Sequence, residues 1–153
     1  MSKIDARLSE LGIELPQPVA PIANYVPFVR SGDIIHISGQ VSLDASGGIK
    51  GVVGEAVDMT TAKTAARLCA INLIAQMKAA CDGDLGRVVR IVKLGGFVQA
   101  GPSFFDIPEV INGASDLMVE VFGDLGRHAR SAVGVYRLPR DFAVEVDAVV
   151  EIS

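Results

Sequence analysis

Apolar positions along this chain recur with two periods, and the switches between them divide it into elements. Ile4, Leu8 and Leu11 recur at helical spacing and Gly12 ends the run, which predicts a short helix over residues 2–12. Pro16, Pro18 and Pro21 then force an extended connector. Residues 24–30 read as a strand that Pro27 sends to an edge or a bulge. After the turn Ser31-Gly32-Asp33, residues 34–40 alternate, with Ile35 and Ile37 on one face and His36 and Ser38 on the other. Residues 44–48 form a loop tip. The next signal is helical: Ala62, Ala65, Ala66, Cys69, Leu73, Met77 and Ala80 make one stripe, with Asp58 as N-cap and Asp82-Gly83 as the stop. Residues 87–98 read as a strand that bends at Gly95-Gly96. A second long helix spans about 107–122, with Asp106 as candidate cap and Gly123 as terminator. Strands over 131–138 and 142–152 close the chain.

The resulting order, β-β-α-β-α-β-β, predicts one α+β domain with two amphipathic helices on one face of a sheet. In the final strand Val144, Val146, Ala148, Val150 and Ile152 share the side expected under the helices. Glu145, Asp147, Val149 and Glu151 share the other. On that second face the remaining strands bring Ile34, Val89, Ile91 and Val133 rather than charges, so an open sheet would be an association liability. Either water or a partner subunit covers it, and a closed symmetric assembly is the usual cure.

Composition narrows the classes. The 153 residues suit a single domain, 1–153, led by the helix and proline connector of 1–21. Half the residues are hydrophobic and 21% are charged, enough for a packed core. A net charge of −4 without Lys/Arg clusters argues against nucleic acid and against a basic membrane patch. The charged start MSKIDARLSELG has no apolar signal core, and no run approaches the roughly 18 apolar residues of a membrane span, so a cytoplasmic protein is expected. Cys69 and Cys81 fall about 18 Å apart on one predicted helix, too far for a disulfide. His36 reads as a strand residue and His128 as a loop cap; two lone histidines without matching cysteine or acid spacing make no metal site.

Chemistry concentrates in the closing stretch HARSAVGVYRLPRDFAVEVDAVV. Arg130 stands at its head and Glu145 inside its alternating run. A guanidinium can hold a carboxylate through two parallel hydrogen bonds, and a carboxylate can position or deprotonate water. If the last two strands formed a simple hairpin, Glu145 would lie opposite about Gly134, near 13 Å from Arg130. The two can share a site only through non-local pairing or through assembly.

The stretch DIIHISGQV resembles the strand and SGQ signature of the RidA (reactive intermediate deaminase) family, also called YjgF/UK114 and once named endoribonuclease L-PSP. ARSAVGVYRLPRDFAVEVDAVV resembles that family's closing signature: Ala-Arg-Ser/Thr, a Leu-Pro turn, then Val-Glu-x-Glu-Ala. The similarity runs from about Ile22 to Glu151. The N-terminal helix and the segment INGASDLMVEVFGDLGRHARSAVG resemble a distinct branch.

The resemblance implies a chorismate-mutase-like fold: a mixed sheet with two long helices on one face, in a homotrimer with a barrel-like core and intersubunit clefts. It implies cofactor-free hydrolysis of amino-acid-derived enamines and imines, such as 2-aminoacrylate, to 2-keto acids and ammonia, with no metal. By motif, Arg130 grips the substrate carboxylate and Glu145 handles water or protons. Tyr25, Ser38, Gly39 and Asn112 shape the pocket, and the Ala132 backbone N–H helps hold the carboxylate. Two departures stand out: Ala132 replaces a common cysteine, and Ala23-Asn24 replaces Gly-Pro before the tyrosine. A non-catalytic trimer that binds small carboxylates or acts as a chaperone-like protein is the alternative. The ribonuclease of the old name is disfavoured by the acidic balance.

Overall fold

The computed structural model describes residues 1–18, Ala20 and 23–153; Pro21 of the connector and Ile22, where the resemblance begins, lie outside them. The eight main elements are α1 (Lys3–Glu10), β1 (Phe28–Ser31), β2 (Ile34–Val41), α2 (Met59–Ala80), β3 (Val88–Gln99), α3 (Ile107–Phe122), β4 (Ala129–Val135) and β5 (Val144–Ile152). The strands form one mixed sheet in the order β1-β2-β5-β3-β4. β5 is antiparallel to both neighbours, and β4 runs parallel to β3 across the α3 crossover. β4 and β5 are therefore separated by β3, which removes the simple hairpin.

The helix-facing side is the core. Val144, Val146, Ala148, Val150 and Ile152 are buried there, as their alternation predicts. α2 covers them with Ala65, Ala66, Cys69, Leu73 and Met77, all fully buried. Asp58 caps α2 by accepting a hydrogen bond from the Thr61 N–H at 2.8 Å, satisfying one of the helix's orphan donors. α1 is held by a capping box between Ser2 and Asp5. The Lys78 ammonium and the Ser2 hydroxyl hold the Asp5 carboxyl down at about 2. Both cysteines are free and buried; Cys81 lies just past the end of α2. No described helix is long and apolar enough to cross a membrane.

Two local expectations need correction, and the glycine pair needs placing. Asp106 makes no side-chain cap; Pro108 in the first turn of α3 needs no N–H partner there. Gly95 and Gly96 interrupt no pairing in β3: both are in register with β5 on one side and β4 on the other. The irregularities fall earlier, between Val88 and Arg90 and between Ile91 and Lys93. They turn Ile91 into the core, fully buried, rather than onto the open face. The open face does carry Val29, Val89 and Val133, at 54%, 39% and 46% exposure.

Candidate functional site

The candidate residues fall into two groups, one at each end of the sheet. The first surrounds Glu145. In the β2–β5 register, Ile37 pairs with Ala148 and Gln40 with Val146, so Ser38 and Gly39 together oppose Asp147. This bulge carries Gly39 across Glu145: a Cβ at position 39 would stand 2.8 Å from the Glu145 Cδ and 2.9 Å from its Oε2. No side chain larger than hydrogen fits without moving the acid. Ser38 donates to the Val26 carbonyl at 2.8 Å, which ties the segment before β1 to the bulge. Tyr25, half exposed, stands on that segment.

These residues line a cavity of about 210 Å³, to which Asn72 and Arg140 also contribute. Asn72 reaches it from α2, donating to the carbonyls of Val41 at 3.2 Å and Leu43 at 2.9 Å. Arg140 and Asp141 occupy left-handed backbone at φ 56° and 65°. The buried Gln99 holds that turn, donating to Asp141 Oδ1 at 2.7 Å and accepting from the Leu138 N–H at 2.8 Å. Burial raises the Glu145 pKa above the ordinary carboxylate value, and the neighbouring Asp147 adds to the shift. Asp147 is itself raised by burial. A carboxyl tuned upward by burial and facing a hollow suits proton transfer.

The second group surrounds Arg130. Its strand position lies in register with Leu94, Ala148, Ile37 and Phe28, one residue per strand, on the helix-facing side. Glu145 lies in the row of Val41, Phe97 and Val133, on the opposite side. The two are two strands and three residues apart, about 10 Å in each direction, on opposite faces. Non-local pairing thus fails to join them within one chain. At the sheet edge α3 supplies polar partners to Arg130. Its Nη1 donates to Asn112 Oδ1 at 2.8 Å and Ser115 Oγ at 3.1 Å, and its Nη2 to the Pro108 carbonyl at 3.4 Å. Asn112 is oriented by donating to Glu109 at 3.2 Å, and Glu109 pairs with Lys63 at 2.7 Å.

Asn112 therefore lies with Arg130 and not in the Glu145 cavity. Ala132 lies two residues beyond Arg130 on β4, in register with Gly96 and packed against the core. His36 is exposed on the open face. His128, read from sequence as a loop cap, also contacts Ser115 at 2.9 Å. Sequence reasoning passed over Ser115, Asn72 and Arg140; the Leu-Pro turn was the available signal for Arg140. A wider hollow of about 980 Å³ beside α1 contains Lys78 and Asp5, already paired at 2.8 Å, and gathers no comparable chemistry.

Comparison with known proteins places the chain. It is 50% identical over 153 residues to protein TCP17 of Trypanosoma cruzi, covering 99% of this chain and 95% of that one. It is 28% identical over 138 residues to a 2-iminobutanoate/2-iminopropanoate deaminase of Dermatophagoides farinae, covering 90% and 91%. A crystal structure of an Agrobacterium tumefaciens protein of unknown function matches with a TM-score of 0.92 and 48% identity, over 98% of this chain and 92% of that chain. Residues 5–146 match the family described as "YjgF/chorismate_mutase-like, putative endoribonuclease", and the chain belongs to this YjgF/RidA family, with its chorismate-mutase-like fold.

Proposed function

We propose that this protein is an enamine/imine deaminase that releases 2-keto acids and ammonia from small amino-acid-derived imines, in sites shared between the subunits of a homotrimer. The observation that carries the reading is Glu145: a half-buried carboxyl of raised pKa facing a cavity with Tyr25 and Ser38. Its likeness to a deaminase relative supports the substrate class.

Arg130 holds the substrate carboxylate and so orients the C=N carbon toward Glu145 of the neighbouring chain. On the protonated imine, Glu145 takes a proton from water as its oxygen bonds to that carbon and the C=N pair moves to nitrogen, giving a neutral carbinolamine. It then returns the proton to nitrogen; the C–N bond breaks with its pair leaving on ammonia, while the hydroxyl oxygen closes C=O and gives its own proton to Glu145, which passes it to the departing ammonia. The hydrolysis calls on no cofactor. Placement supports the sharing. The cavity lies at the β1-β2-β5 end of the sheet and Arg130 on β4, the opposite edge, so a head-to-tail ring would bring one chain's arginine to the next chain's acid.

The test generates 2-aminoacrylate in situ and follows keto-acid release. Acceleration by the native protein, absent in Arg130→Ala and in Glu145→Ala, is expected. Co-assembling the two inactive variants in equal amounts is expected to restore about a quarter of the activity, since that share of sites pairs an intact Arg130 with an intact Glu145 from different chains. No recovery would place both groups in one chain's site. No acceleration with any small imine, alongside tight 2-keto-acid binding, would make the protein a binder rather than an enzyme.

A further inference from the structure

We infer that Ser115 and His128 are positioning residues for Arg130, selecting the edge of its guanidinium that meets a carboxylate; this rests on the proposed role of Arg130 as the anchor. Donors and acceptors are assigned by elimination. His128 Nδ1 lies 2.6 Å from the Gly126 carbonyl, which can only accept, so Nδ1 carries the hydrogen. In the Nδ1–H tautomer Nε2 is an acceptor, and the Ser115 hydroxyl 2.9 Å away donates to it. With its hydrogen committed, Ser115 Oγ offers a lone pair to Arg130 Nη1 at 3.1 Å. The chain of donation runs in one direction, from Arg130 through Ser115 and His128 to Gly126.

The anchor of this relay is rigid. Gly126 is buried in the one-turn helix Gly123–Gly126 that follows α3, and a Cβ there would clash with the Met118 carbonyl. Ser115 and Asn112 are three residues apart on α3, hence on one face, and together they take both hydrogens of Nη1. Nη2 spends one hydrogen on the Pro108 carbonyl. Among the described contacts, Nε and the second Nη2 hydrogen have no partner. Pro108 precedes Asn112 by one turn of α3, which places its carbonyl on the Nη2 hydrogen at the end of the guanidinium beside Nη1; the two left over are then parallel and form its side-on fork. The relay thus blocks the end of Arg130 and presents its side, which fixes the plane in which a ligand carboxylate is held.

The test is calorimetric binding of 2-oxobutyrate and of its uncharged primary amide to the full-length protein as purified. Ser115→Ala is expected to weaken 2-oxobutyrate about fivefold to tenfold, the effect of one hydrogen bond, and to move the amide by less than about twofold. Ser115→Thr, which keeps the hydroxyl, is expected to restore most of the preference. His128→Ala reads the same link from its far end and serves if Ser115→Ala does not fold. Unchanged binding in Ser115→Ala, or equal losses for both ligands, would overturn the relay. If Arg130→Ala weakens 2-oxobutyrate while Ser115→Ala and His128→Ala do not, the anchor stands and the relay fails. If Arg130→Ala has no effect, both fail, whatever the two relay variants do. Turnover is measured separately, so an inactive but binding protein still decides the question.

Discussion

Around Glu145 the chain is held by a bulge, a tyrosine-bearing loop and a tight turn; around Arg130 it is held by a helix. The acid faces a hollow that burdens its charge, and its pKa rises. The guanidinium sits on a shelf where three acceptors take up one end of it before any ligand arrives. One half is electrostatically unsettled and the other is geometrically settled. That division suits a reaction in which a proton moves at one pole while a carboxylate stays still at the other.

Breaking the acid should have the largest effect. Glu145→Gln is expected to lower keto-acid release about 10²- to 10⁴-fold, the range for losing a general acid–base, with binding of 2-oxobutyrate much less affected. The same variant sharpens the contrast in stability. A carboxyl with a raised folded-state pKa binds more protons when folded than when unfolded, so it costs stability as the pH climbs above its ordinary value of 4.5. Glu145→Gln should therefore melt near the parent temperature at pH 4 and above it at pH 8, by calorimetry. A difference that shrinks as pH rises would contradict the burial account.

Breaking the shelf comes next. Arg130→Ala should cost about 2–5 kcal/mol in kcat/KM, through lost ligand affinity more than lost pH dependence. Two glycines then separate the halves. Gly126→Ala meets the Met118 backbone, which cannot swing away, and should destabilise the protein by about 1–3 kcal/mol in urea unfolding. Gly39→Ala meets only the end of the Glu145 side chain, so it should displace the acid and depress turnover while costing less stability. The smallest effect belongs to Ser38→Ala, which removes one hydrogen bond to the Val26 carbonyl and should cost about 1 kcal/mol.

What the sequence makes legible is what is local. The stripe of Ala65, Cys69, Leu73 and Met77 and the alternation of Val144 to Ile152 specify α2 and β5, because each period is visible within a few residues. Motif resemblance brought out Arg130 and Glu145. It did not reveal that they face opposite sides of one protomer, because that depends on β5 entering the sheet two strands away from β4. Ile91 was misassigned for a related reason: the first register shift of β3 turns it to the core face, and the second, before Lys93, restores the alternation for the rest of the strand. Ser115 and His128 lie 13 positions apart and meet only once the turn after α3 folds back. Nothing in their spacing marks them beforehand.

The central position of β5 has a consequence for how the protein comes into being. Among the described strands, β1-β2 on one flank and β3-β4 on the other share no ladder of their own; β5 is the strand that joins them. A nascent chain emerging from the ribosome can form the three helices and the two separate strand pairs, yet it exposes two raw sheet edges until β5 arrives between them. The same strand that carries the acid is thus the latch of the fold, and a ribosome stalled before it would present an aggregation-prone intermediate rather than a smaller native domain.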